Sequence, residues 1–154
     1  MTPHNPGEQM PERSESARPA VELEVTGFAN GGAGVARGAD GRVVFVTGAL
    51  PGETVRAELL TTRKSFVQAR TVEILVASPH RVEPACPAAA AGAGCCDLSY
   101  AAPDFAAELR AGALADVLTR IGGLRPGDDA VPGFPALLPL GGPAGWRIRT
   151  RLAV

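Results

Sequence analysis

Between Val21 and Val76 the chain repeats one pattern: a short apolar or alternating run, then a turn rich in Gly, Pro, Asn or Asp. Val21, Leu23 and Val25 alternate with Glu22, Glu24 and Thr26, the period-two signature of a strand with one buried face. The turn Asn30-Gly31-Gly32-Ala33-Gly34 leads into a short strand, Val35-Ala36-Arg37. Asp40-Gly41 reads as a tight-hairpin pair before Arg42 to Thr47, whose apolar run is Val43-Val44-Phe45-Val46. Leu50-Pro51-Gly52-Glu53 places Pro and Gly where a type II turn wants them, and Thr54 to Leu60 puts Val55, Ala57 and Leu59 on the inner face. Thr61 to Ser65 is a polar, basic hairpin tip, and Phe66 to Val76 is long enough to bend across the other strands. Short antiparallel strands joined by tight turns close most economically into a small OB-like barrel, which also removes exposed sheet edges. The expected class is therefore mainly β, with a five-stranded barrel over residues 21–80.

The flanks read differently. Residues 1–20 are rich in Pro, Glu, Ser and Arg and hold too little apolar surface to repay ordering, so a disordered leader is expected there. Residues 81–101 form a cysteine-bearing loop padded with Ala and Gly, and residues 102–123 form a helix. Pro103 and Asp104 suit its first turn, Glu108 is read as complementing its dipole, and Gly122-Gly123 ends it. Its apolar stripe, Phe105, Leu109, Ala113, Val117 and Ile121 with Leu114 and Leu118, asks for a partner surface. Residues 124–145 are a Pro/Gly-rich connection. In residues 146–154, Trp146, Ile148, Thr150 and Leu152 alternate with Arg147, Arg149 and Arg151, the first strand of a further domain. A strand needs neighbours, so the expectation is the front part of a longer or truncated protein.

A chain of 154 residues excludes a large two-domain enzyme. Fifteen Lys and Arg nearly cancel sixteen Asp and Glu, so nucleic-acid binding has to come from local patches. Arg37, Arg42, Arg56, Arg63, Lys64, Arg70 and Arg81 are matched in number by acidic residues of the same stretch. Arg63-Lys64-Ser65-Phe66, however, sets two cations beside an aromatic ring, able to pair with phosphate and stack a base, against the plainer reading of a solvated tip. Gly31 to Gly34 precedes a strand, whereas a phosphate loop should open a helix. No Ser/His/Asp set, catalytic carboxylate pair or nucleotide-binding βαβ unit can be assembled, so no catalytic residue is expected in this chain.

Three cysteines are an odd number, and no secretion-signal core stands at the start, so a reducing cytoplasm is expected. The uncharged stretch from Ala130 to Trp146 carries four prolines and cannot be a membrane helix. Cys86 lies well before the vicinal pair Cys95-Cys96, which is not zinc spacing. Two readings stay open on spacing alone: incidental thiols, or part of the four-thiolate set of an iron–sulfur cluster.

The run Gly31-Gly32-Ala33-Gly34-Val35-Ala36-Arg37, then Asp40 to Val46, then Ala49-Leu50-Pro51-Gly52-Glu53-Thr54-Val55, resembles the TRAM domain. Ser78-Pro79-His80-Arg81-Val82-Glu83-Pro84, the Cys86 loop and the helix ending in Ile121-Gly122-Gly123 resemble the amino-terminal part of the RNA (uracil-5-)methyltransferase family. The resemblance implies an RNA-binding barrel, then a cluster loop, then a central domain from near Trp146 and a Rossmann-like domain using S-adenosylmethionine. In that family a cysteine adds to C6 of uracil and a glutamate helps remove the C5 proton; neither has a counterpart in this sequence, which on this reading binds no S-adenosylmethionine itself. Cys86 and Cys96 match outer positions of the family's 4Fe-4S motif, Cys95 is displaced toward Cys96, and the fourth ligand would fall beyond Val154. The resemblance thus implies a degenerate ligand set, a remnant rather than a filled cluster.

The reading that follows is an RNA-binding TRAM module of a 5-methyluridine-forming enzyme of rRNA or tRNA, its catalytic domain absent. Its expected partner is structured RNA, with neither DNA nor membrane, and its contacts are Arg37, Arg42, Arg63, Lys64, Phe66, Arg70 and Arg81. The alternative is a stand-alone small-barrel RNA-binding protein without enzymatic activity.

Overall fold

The computed structural model describes residues 18–90 and 97–125. Five strands carry the barrel: β1 (Ala20–Phe28), β2 (Gly34–Arg37), β3 (Val43–Thr47), β4 (Thr54–Thr62) and β5 (Phe66–Val76). They close in the order β1-β2-β3-β5-β4, with β4 pairing back onto β1. This is the expected OB-like barrel, with one correction. The strands are not all antiparallel, because β3 and β5 run parallel from Val43↔Phe66 to Thr47↔Arg70. Closing five strands leaves two pairs that no direct hairpin joins: β1 and β4 meet antiparallel, while β5, entering from the β4 hairpin, lies along β3 in the same direction. Bulges in β5's long pairing with β4 supply the bend that closure requires.

Alternation decides what fills the interior. Leu23, Val25, Ala36, Val44, Val46, Ala49, Val55, Ala57, Val67 and Ala69 form the core, so the narrow barrel is packed with Val and Ala rather than aromatic rings. Gly34 serves this packing, since a Cβ there would sit 2.7 Å from Val25 Cγ1. The Leu50 to Glu53 turn forms as read, with Glu53 N donating to Leu50 O at 3.2 Å and Gly52 at φ +84°. The turn between β2 and β3 is longer than the two-residue hairpin read from Asp40-Gly41. Gly41 N donates to Gly38 O at 2.9 Å and only Gly41 has positive φ, whereas a type I′ turn needs positive φ at Asp40 too.

After β5 the chain covers one end of the barrel. A short helix, α1 (Pro87–Ala90), follows Cys86, and a longer one, α2 (Pro103–Arg120), follows the loop. Leu50, Leu98, Ala101 and Ala106 form a second buried cluster, with Phe28, Tyr100, Phe105 and Leu109 packed against it. Arg81 pairs with Ala101, Ala102 N donates to His80 O at 2.8 Å, and Val82 N donates to Tyr100 O at 2.9 Å, pinning both ends of the cysteine loop. His80 is exposed, as a surface loop residue should be, yet its ring stacks on Phe105 at 4.0 Å.

Helix α2 departs from expectation in two ways. Its first-turn acidic residue is Asp104, with Glu108 a turn further on, and Ala102 supplies no side-chain cap. Its apolar stripe is only half-covered: Phe105, Leu109, Ala113, Val117 and Leu118 are partly buried, Leu114 is exposed and Ile121 is 83% exposed, while the helix's buried residue, Ala106, lies outside the expected stripe. No helix among the described residues is long and apolar enough to cross a membrane.

Candidate nucleic-acid interface

The strand connections sort the molecule into two ends. The loops after β1 and β3 and the residues after β5 share the end covered by Leu98, Tyr100 and α2. The β2–β3 and β4–β5 turns share the other. At this second end Arg42 joins the two turns, its guanidinium donating to Arg63 O at 2.9 Å. Arg42 also donates through Nε to Asp40 at 2.7 Å, and Arg37 donates to Gly41 O at 3.2 Å. Bonding to Arg42 holds the Asp40 carboxyl below its ordinary pKa. Arg63 and Lys64 are exposed and, among the described residues, have no ion-pair partner. The bond thus ties the turn carrying Arg37, Asp40 and Arg42 to the turn carrying Arg63 and Lys64, segments 21 to 27 positions apart in sequence that hold four cations and one acidic residue.

The barrel flank formed by β1, β4 and β5 is different because its arginines are paired with carboxylates. Arg56 pairs with Glu73, and Arg70 donates to Glu58 at 2.9 Å, with Arg18 also 3.8 Å from Glu58. The Arg56–Glu73 pair is exposed on both sides and contributes little stability, whereas Glu58 is buried beside Arg70; both pairs cancel the local field. Arg70 therefore lies on the strand expected for it with its charge already matched.

Arg81 sits at the opposite end and is turned inward. Its guanidinium grips the wholly buried Glu53 carboxylate with two bonds, at 2.6 and 2.7 Å, and donates to Gly48 O at 2.8 Å. Leu50 N and Ser78 N donate to the same carboxylate at 2.8 and 3.2 Å. Burial pushes the Glu53 pKa up, but bonding to Arg81, Leu50 and Ser78 outweighs it and holds the carboxyl below its ordinary value. The guanidinium also lies 4.9 Å above the Tyr100 ring, whose hydroxyl burial pushes up in pKa. Sequence reasoning placed Arg81 among surface cations; the signal it lacked is that Glu53, on the Pro51-Gly52 turn, is carried to the barrel end and buried.

Phe66 opens β5, and its ring meets Phe45 edge-on with centroids 5.8 Å apart. In the sequence Phe45 stands within the apolar run Val43-Val44-Phe45-Val46. It lies between buried Val44 and Val46, so its side chain is on the outside of the barrel.

Cys86 is an exposed free thiol, and Cys95 and Cys96 lie outside the described residues. Among the described residues no three His, Cys, Asp or Glu side chains gather to hold a metal. Two of the three cysteines expected as cluster ligands therefore lie outside the described residues.

A closed five-stranded barrel in the order β1-β2-β3-β5-β4 is the architecture of the OB-like barrels. Residues 19–76 match the TRAM domain, so the barrel is a TRAM domain. The chain is 46% identical over 134 residues to an uncharacterized RNA methyltransferase of Corynebacterium efficiens, covering 87% of this chain and 30% of that protein. It is 43% identical over 122 residues to the 23S rRNA (uracil(1939)-C(5))-methyltransferase RlmD of Stenotrophomonas maltophilia, covering 78% of this chain and 27% of the relative. The chain thus spans about three tenths of the length of these curated relatives. A solution structure of a conserved protein from Methanococcus maripaludis is 31% identical, covering 38% of this chain and 80% of its own, with a TM-score of 0.33.

Proposed function

We propose that this chain holds RNA through the basic end of its TRAM barrel, in the service of RNA uracil-5 methylation. The observation that carries the reading is the Arg42 bond to Arg63 O, which ties the turn carrying Arg37 and Arg42 to the tip carrying Arg63 and Lys64. Guanidinium and ammonium groups at mobile-ion-accessible tips bind phosphate by displacing counterions, whatever the sequence. The RNA methyltransferase names of the relatives support RNA as the polyanion.

Arg70 and Arg81 are assigned supporting roles: Arg70 neutralises Glu58, and Arg81 neutralises Glu53. S-adenosylmethionine supplies the methyl group in the family the sequence resembles, and this chain's described residues do not enter that step. Their task is to retain the RNA, by phosphate contacts, while a uridine elsewhere on it reacts.

A filter-binding titration with an rRNA fragment at low salt tests this. The wild-type chain should bind, and Arg63→Ala with Lys64→Ala should weaken binding for all RNA sequences alike. Absence of RNA affinity at low salt, or an unchanged double variant, would sink the proposal.

A further inference from the structure

The outer face of β2, β3 and β5 carries more than cations. Pairing places Arg37, Val43 and Phe66 in one row across the three strands, and Val35, Phe45 and Gln68 in the next. All six are outward positions, because Ala36, Val44, Val46, Val67 and Ala69 between them are buried in the core. Phe45 and Phe66 come from strands 21 residues apart, meet edge to face, and stay only half-buried. Gln68, with two donors and an acceptor on its amide, is exposed beside Phe45. The elements after β5 pack on Phe28 and Leu50 at the far end of the barrel. A barrel with a core of Val and Ala has thus set two phenyl rings on its outside, next to its cations.

We infer that Phe45 and Phe66 form a stacking platform for an unpaired base, with Gln68 at the base edge and Arg37, Arg63 and Lys64 on the flanking phosphates. The inference rests on the RNA-binding reading above and narrows it. Phosphate contacts alone accept duplex and single strand alike, whereas a ring can stack only on a base whose face is free. In a helix each base face is covered by its neighbours, and A-form RNA shows proteins mainly its backbone and 2′-hydroxyls. The preferred ligand is therefore a single-stranded segment, such as a loop or bulge within a folded RNA, and not its helical stems.

Fluorescence anisotropy with the 154-residue chain separates the two levels. The probes are a labelled 12-nucleotide RNA of mixed sequence, the same strand annealed to its complement, and the single strand carrying 2-aminopurine. The single strand should bind about tenfold or more tighter than the duplex at equal salt. Phe45→Leu and Phe66→Leu, which keep apolar cover but remove the ring, should each weaken single-strand binding about fivefold or more and leave duplex binding unchanged. Stacking on wild-type protein should also change 2-aminopurine emission, a readout that needs no variant. Equal affinity for both RNAs, or unchanged single-strand binding and emission with the leucine variants, overturns the platform while leaving phosphate binding intact. If neither RNA binds, both readings fall together.

Discussion

Replacing Arg81 with Met tests the strongest energetic statement the structure makes. The Glu53 carboxylate is wholly buried and receives four hydrogen bonds, two of them from Arg81. In Arg81→Met the amides of Leu50 and Ser78 still donate, but the countercharge is gone. Breaking a buried pair by removing one partner costs about 3 to 5 kcal/mol, because it strands a charge away from water. A domain holds only about 5 to 15 kcal/mol in all, so the loss is a large share of the total. The pH dependence gives a second check. In the wild type Glu53 has a depressed pKa, so its contribution is complete above the ordinary value of 4.5 and is lost as pH falls through the lower folded value. In the variant only the two amides remain to oppose burial and the carboxyl titrates higher than in the wild type, so acid lets Glu53 discharge and recover stability. The difference between the proteins should therefore be largest near neutrality and shrink toward pH 4. Urea unfolding followed by circular dichroism measures both. A loss under about 1 kcal/mol at pH 7, or one of equal size at both pH values, would refute the reasoning.

Other substitutions follow from the same geometry. Arg81→Lys keeps the charge but not the two-pronged grip, and should cost less than Met while leaving RNA affinity per folded molecule unchanged, as titration of the folded variant would show. Gly34→Ala should destabilise the barrel by about 1 to 3 kcal/mol in thermal or urea unfolding, since its Cβ collides with Val25. Arg63→Ala with Lys64→Ala should lower the slope of log affinity against log salt by about 1.4 for single-stranded RNA. Ile121→Ser, at an 83% exposed position, should change the unfolding midpoint by less than the equivalent of about 0.5 kcal/mol.

Most of the barrel is legible in the sequence because its code is local. The alternation Val21, Leu23, Val25 and the Gly-bearing turns at Gly41 and Gly52 each report a conformation within a few residues. The direction of β5 against β3 is a long-range matter that the period-two pattern does not carry, so the parallel pair was missed. The helix stripe was readable as a pattern, but only its first turns meet Leu50 and Leu98. At the candidate site, Arg63-Lys64-Ser65-Phe66 announced itself as one segment. Its partners Arg37, Arg42 and Phe45 are brought alongside by barrel closure, and the inward turn of Arg81 depends on a carboxylate 28 residues away. Charge balance was uninformative for a physical reason: it averages the flank, where Arg56 and Arg70 are paired with Glu73 and Glu58, with the tips, where Asp40 is the one acid against four cations.

The central claim is that RNA is held at the end of the barrel built by the β2–β3 and β4–β5 turns. The most direct test is an amide-resolved NMR titration of the chain with single-stranded RNA at low salt. The account predicts that shifts concentrate on residues 37–45 and 62–68, while Leu50, Glu53 and the residues from Leu98 to Ala106 stay in place. Shifts confined to the Leu50 and α2 end, with the turns unmoved, would contradict it.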